Sequence, residues 1–195
     1  MAVSRVKTSS ILQGFPKSRS LLAGNTAFNP SSYESIASVS NNSGYFTSIP
    51  QTYKHLQFRM QVRSSFAGTD QLWITLNGNG SGYARHYLQG NGSSATAAGG
   101  TGLAGILVEG LVGSTAASNI FTTVIVDIHD YASTNKNKTV RIFSGTDLNG
   151  SGTVLLTSGF VADTTALTTV NIDAYNGGLG GVSGNLISLY GIKGA

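Results

Sequence analysis

The stretch from Lys54 to Arg63, KHLQFRMQVR, places Leu56, Phe58, Met60 and Val62 on every second position and His55, Gln57, Arg59, Gln61 and Arg63 between them. A side-chain period of two is that of a β-strand with one buried and one wet face. Such a strand belongs to an antiparallel sheet with a solvated side, because a strand inside a parallel sheet is apolar on both faces. The chain must therefore supply antiparallel neighbours and a second apolar layer.

Gly, Ser, Thr and Asn make up 85 of the 195 residues and charged residues only 10%, against about 25% in an average globular chain. Many short strands joined by small polar turns, with no helical run, point to an all-β, antiparallel two-sheet sandwich of jelly-roll type, with a closed barrel as the alternative. A chain of this length buries a core without staples, and the absence of cysteine excludes disulfides, thiolate metal sites and cysteine nucleophiles. The formal charge of +4 sits wholly in residues 1–32, which hold Arg5, Lys7, Lys17 and Arg19 and no acid. The remaining chain is balanced, so no nucleic-acid partner is expected. No apolar run approaches the ~20 residues of a membrane span, and no signal-peptide core is present, so the expected site of synthesis is the cytoplasm, without secretory export.

Residues 1–32 read as an extended basic N-terminal arm and residues 33–195 as the sandwich domain. Large apolar residues are sparse in disordered tails, yet Ile11, Leu12, Phe15, Leu21, Leu22 and Phe28 stand among the four basic ones. Such an arm is suited to ordering against another surface. From Tyr33 onward about ten strands are expected: near Tyr33–Val39, Tyr45–Ile49, Lys54–Arg63, Gln71–Leu76, Tyr83–Leu88, Leu103–Leu111, Asn119–Tyr131, Thr139–Ser144, Thr153–Val161, Leu167–Tyr175 and Asn185–Lys193. The strands from Asn119 and from Asn185 are expected inside a sheet. The run NGNGSG, Asn77 to Gly82, predicts a tight hairpin between its flanking strands, Asn149 to Gly152 predicts another, and Gln89 to Gly102 reads as a surface loop.

Asp127, His129 and Asp130 in the DIHD run are the most concentrated titratable groups, and a metal or acid/base site would need His86 or Asp70 beside them. Eight scattered acids supply no supporting set, so these residues read as the polar end of a strand, and neither a catalytic site nor a cofactor or metal is expected. Trp73 with Tyr83, Arg85, His86 and Tyr87 would make an aromatic and basic platform for a ligand or, preferentially, a subunit interface. NGNGSG lacks the GK[ST] and following helix of a phosphate loop.

The stretches SYESIASV (Ser32 to Val39), SIPQTYKHLQFR (Ser48 to Arg59), YARHYL (Tyr83 to Leu88), DYASTNKNKTVR (Asp130 to Arg141) and the terminal SLYGIKG together resemble a group of tailed-bacteriophage virion proteins, over about residues 30 to 195. The resemblance implies a non-enzymatic β-sandwich component of a virion made in a bacterial cytoplasm. The absence of a shaft, coiled coil or β-helix repeat favours a capsid decoration or cement protein. Its partner would be the major capsid protein or another virion subunit, with self-association, as trimers by the symmetry of such sites. A receptor- or glycan-binding fibre module is the alternative.

Overall fold

The computed structural model describes residues 32–194. It contains twelve strands: β1 (Tyr33–Ser40), β2 (Gly44–Phe46), β3 (His55–Val62), β4 (Asp70–Leu76), β5 (Tyr83–Gly90), β6 (Ala95–Leu103), β7 (Ile106–Leu111), β8 (Thr122–His129), β9 (Lys138–Asp147), β10 (Gly152–Val161), β11 (Val170–Ala174) and β12 (Leu186–Ile192). All pair antiparallel, in an eight-stranded sheet ordered β1-β12-β3-β8-β9-β10-β5-β6 and a four-stranded sheet ordered β2-β11-β4-β7. The protein is a β-sandwich, as its composition and periodicity predict. The two sheets remain separate ladders with open edges, so the closed barrel does not form.

The alternation of Lys54–Arg63 is realised in β3, where Leu56, Phe58 and Val62 are fully buried and Met60 nearly so. β3 lies between β12 and β8, so the strands expected in sheet interiors are there. Inward residues of this sheet, among them Val126, Ile128, Val140 and Ile187, meet Leu72, Ile74, Ile106 and Ile172 of the smaller sheet in one core. Phe58 and Phe46 bridge the layers edge to face at 5.2 Å between ring centroids, the arrangement that aromatic quadrupoles favour.

Three expectations are corrected. NGNGSG does not close a hairpin, because β4 belongs to the small sheet and β5 to the large one; it is a corner between layers. Asn77 decides this: its N–H donates to Thr169 O at 2.9 Å, and its side-chain oxygen accepts the Thr168 N–H at 2.9 Å. This ties the turn to the segment entering β11 instead of to β5. Second, Gln89–Gly102 is not a loop but the end of β5, a turn and β6. Asn91 closes that turn, its Oδ1 accepting N–H groups of Ser93 at 3.0 Å and Ser94 at 2.8 Å. Third, Leu103–Leu111 is broken at Ala104–Gly105, where the chain passes from β6 in one sheet to β7 in the other. A Cβ at Gly105 would stand 1.7 Å from the Trp73 Nε1, so only glycine fits beneath that indole. Replacing Asn77 by Ala removes the corner's side-chain bonds and is expected to cost about 1–2 kcal/mol, readable as a lower urea midpoint with unchanged m.

Candidate functional site

The DIHD residues are occupied by structural partners. Asp127 accepts a 2.7 Å bond from the Gln57 amide, and His129 packs edge to face on His55 at 4.8 Å. Asp130 turns out of β8 with a positive φ of 48° and pairs with Lys54 at 2.6 Å and Lys136 at 2.5 Å. Those two ammonium groups, Lys136 foremost, hold its carboxyl well below the usual range. Burial, with the adjacent His129, pushes His55 down, and its Nδ1 accepts the Asp130 N–H at 3.1 Å. Asp70 is buried at the start of the small sheet, and His86 lies on the outside of the large one. Among the described residues no group of three or more His, Asp or Glu side chains is placed to hold a metal ion.

The aromatic and basic set is not brought onto one surface. Tyr83 is in the core, its hydroxyl donating to Leu76 O and accepting from Leu76 N–H. Arg85 reaches β7, where it bonds Leu107 O and pairs with Glu109 at 2.6 Å, and it covers the Tyr87 ring at 5.2 Å. His86 alternates to the opposite side of β5. Trp73 lies on the outer side of the small sheet, edge to face with Tyr175 at 5.6 Å. The arm positions Arg5, Lys7, Ile11, Leu12, Phe15, Lys17, Arg19, Leu21, Leu22 and Phe28 are outside the described residues.

The surface that does collect unusual chemistry is the outer face of the eight-stranded sheet, which is divided in two. Toward β1, polar and aromatic side chains bond one another: the Tyr33 hydroxyl donates to Gln57 Oε1 at 2.5 Å, Arg59 Nε donates to the same oxygen at 2.9 Å, and Tyr33 stacks on Tyr190 at 4.9 Å. From β9 to β6 two neighbouring rows turn apolar, beside a polar row of Arg141, Ser158 and His86. Ile125, Phe143, Leu156, Leu88 and Ala97 are successive cross-strand partners in one row. The neighbouring row runs Thr123, Gly145, Val154, Gly90 and Ala95. Phe143, Val154, Leu156 and Leu88 are 54, 55, 57 and 54% exposed, and Phe160 lies farther along β10 at 37%. Scattered surface hydrophobes are ordinary, whereas a contiguous patch marks an interaction site. His86, paired with Ser158 and Gly99, is the one titratable outward side chain on described β10, β5 and β6.

No protein-family model, curated protein or solved structure matches the chain. The geometry alone therefore supports the functional reading. Sequence motifs do not mark this face, because no single strand in it carries a catalytic pattern. A signal was nevertheless present in β10, where Val154, Leu155 and Leu156 are consecutive apolar residues, as in strands covered on both sides. At the rim of the face, a groove of about 740 Å³ runs between the Asn91 turn and the β9–β10 hairpin, lined by Gln61, Asn119, Phe121 and Asp147 among others. No helix among the described residues is long and apolar enough to cross a membrane.

Proposed function

We propose that this chain is a structural subunit of a tailed-bacteriophage virion: a capsid decoration or cement protein that binds and bridges major capsid subunits and stabilises the head. The apolar half of the outer face carries this reading. It extends across four strands, β9 to β6, an extent that suits another subunit of an assembly better than a small molecule. The basic, apolar-studded residues 1–32 enter the domain at β1, the far edge of that same sheet. An arm lying on one coat subunit and a face lying on the next would link the two. In the DIHD run Asp127 is held in a hydrogen bond, Asp130 in ion pairs and His129 against the His55 ring, which favours a scaffold over a catalyst.

Antibody labelling of intact particles tests the location, with label on the head expected and a particle without label overturning the reading. Occupancy on capsids stripped of the protein tests the surface. Leu156→Asp places a charge where an apolar contact forms and is expected to weaken binding about tenfold or more, from about 1.5–3 kcal/mol of lost burial. Deletion of residues 1–30 is expected to weaken it independently, and undiminished occupancy in both variants would sink the model. The second reading, a fibre module binding neutral glycans, rests on the rim groove, whose amides and Phe121 are side-chain types that hold and stack sugars. It predicts label at the tail and a glycan-array signal that Phe121→Ala weakens.

A further inference from the structure

A β-sheet edge presents a row of unpaired N–H and C=O groups, and folded proteins blunt such edges with charge, bulges, proline or brevity. Three of the four sheet edges here are blunted. β1 carries a bulge between Ser35 and Ala37 and the Glu34–Lys193 ion pair at 2.6 Å. β2 is only three residues long. β7 has an irregularity opposite Asp70 to Leu72, and the Arg85 guanidinium occupies its Leu107 carbonyl. β6 has none of these devices over most of its length. It runs nine residues, ATAAGGTGL, without a charge or a proline, and its pairing with β5 is regular until the Thr101–Leu103 end.

β6 is also uncovered. Only Gly100 and Leu103 of its nine residues are even half-buried, because the four-stranded sheet is too narrow to reach beneath it. Ala and Gly are poor strand formers, so this sequence gains little by lying at an open edge in water. Against a second backbone, small side chains become an advantage, since nothing obstructs close approach. Gly99 already shows the demand for space: a Cβ there would stand 2.5 Å from the His86 ring.

We infer that β6 is a self-association edge, on which β6 of a second copy of this chain pairs antiparallel about a two-fold axis near Gly99, fusing two eight-stranded sheets into one. A second copy can take this place without like-charge repulsion, because β6 carries no charged side chain and the chain's excess of +4 lies in residues 1–32. An isologous strand pair is closed and self-complementary, so it ends at a dimer. The pairing aligns the apolar half-faces of both copies side by side without covering them. It is therefore independent of what those faces bind, and it stands or falls separately from the virion reading.

The full chain is expected to sediment at twice its monomer mass. Ala98→Lys, at an exposed position on β6, sets two cations close together across the two-fold axis and is expected to halve that mass while leaving the circular dichroism spectrum unchanged. Mixing the Ala98→Lys and Ala98→Glu chains is expected to restore the doubled mass, because opposite charges then meet across the strands. A wild-type chain that sediments as a monomer or a trimer overturns the two-fold pairing. So does a dimer that survives Ala98→Lys, which would place the contact elsewhere. Failure of particle labelling with the dimer intact would remove the virion reading alone.

Discussion

Phe58→Ala is expected to lower the unfolding free energy by about 3–5 kcal/mol, the range for removing a buried aromatic ring when the cavity cannot collapse. Phe58 is fully buried in β3, and both neighbouring strands hold it in register, with Leu189 on one side and Val126 on the other. Its ring meets Phe46 of β2 across the layers at 5.2 Å, so the substitution removes a contact between sheets as well as burial. The strands around it are tied by ladders on both sides and cannot close the gap. For a domain of this size each kcal/mol shifts the melting temperature by about 2–4 °C, which calorimetry resolves. A loss below about 1 kcal/mol would mean that the sheets repack, and that the alternation in β3 is less decisive than its burial implies.

What the sequence reveals of this fold follows how strongly one face is buried. β3, β8, β9 and β12 alternate in burial because one side of each meets the core, and their existence is legible in single stretches. β6 is not legible, since its Ala, Gly and Thr residues show no contrast between faces; hydrogen bonding to β5 makes it a strand. Turn chemistry is readable at Asn77–Gly82, but its destination is not. The bonds that send the chain into the other sheet run from Asn77 to residues 165–169, far away in sequence. The same limit applies to the aromatic set. Tyr83, Arg85 and Tyr87 share one side of β5 and His86 takes the other, while Trp73 belongs to a different sheet. The apolar outer face escapes a motif reading for a further reason: Phe143, Leu156 and Leu88 become neighbours only through the register of β9, β10 and β5.

That face and the polar half beside it differ in what they ask of solvent. Toward β1 the outward side chains satisfy one another, as in the Tyr33, Gln57, Arg59 and Asp127 network. Toward β6 the rows through Phe143, Leu156 and Leu88 and through Gly145, Val154 and Gly90 offer no polar side-chain atoms, so water gains little by contact with them. Burial of that half against a subunit would be driven by the hydrophobic effect and would carry a negative heat-capacity change, whereas contacts made by the basic arm would weaken with added salt. Calorimetric titration of stripped capsids at two salt concentrations separates the two contributions.

Asp70→Ala is expected to cost about 3 kcal/mol or more, because it removes one charged acceptor from several buried donors at once. The Asp70 carboxylate is 2% exposed. It accepts the Ser64 hydroxyl at 2.7 Å, the Gln71 N–H at 2.8 Å, the Asn176 N–H at 3.1 Å and side-chain amide at 2.9 Å, and the Gly177 N–H at 3.0 Å. It thereby fastens the start of β4 to the segment leaving β11. Burial alone would push this carboxyl up; the Ser64 hydroxyl and the N–H groups of Gln71, Asn176 and Gly177 outweigh it and hold it below its ordinary value. At the Asn77 corner Asp163 behaves alike: burial is overcome by Thr165, Asn79 and Asn77, bringing it to about 2. Because both groups bind protons less readily folded than unfolded, their stabilisation is complete above the unfolded carboxyl value of about 4 and is lost as pH falls through the folded values. Each proton taken up on unfolding contributes a slope of about 1.4 kcal/mol per pH unit in that window. Asp70→Asn keeps the volume but not the titration. It should therefore destabilise the protein at neutral pH and flatten the acid limb of the stability curve, whereas an unchanged slope below pH 4 would assign the acid sensitivity to other carboxylates.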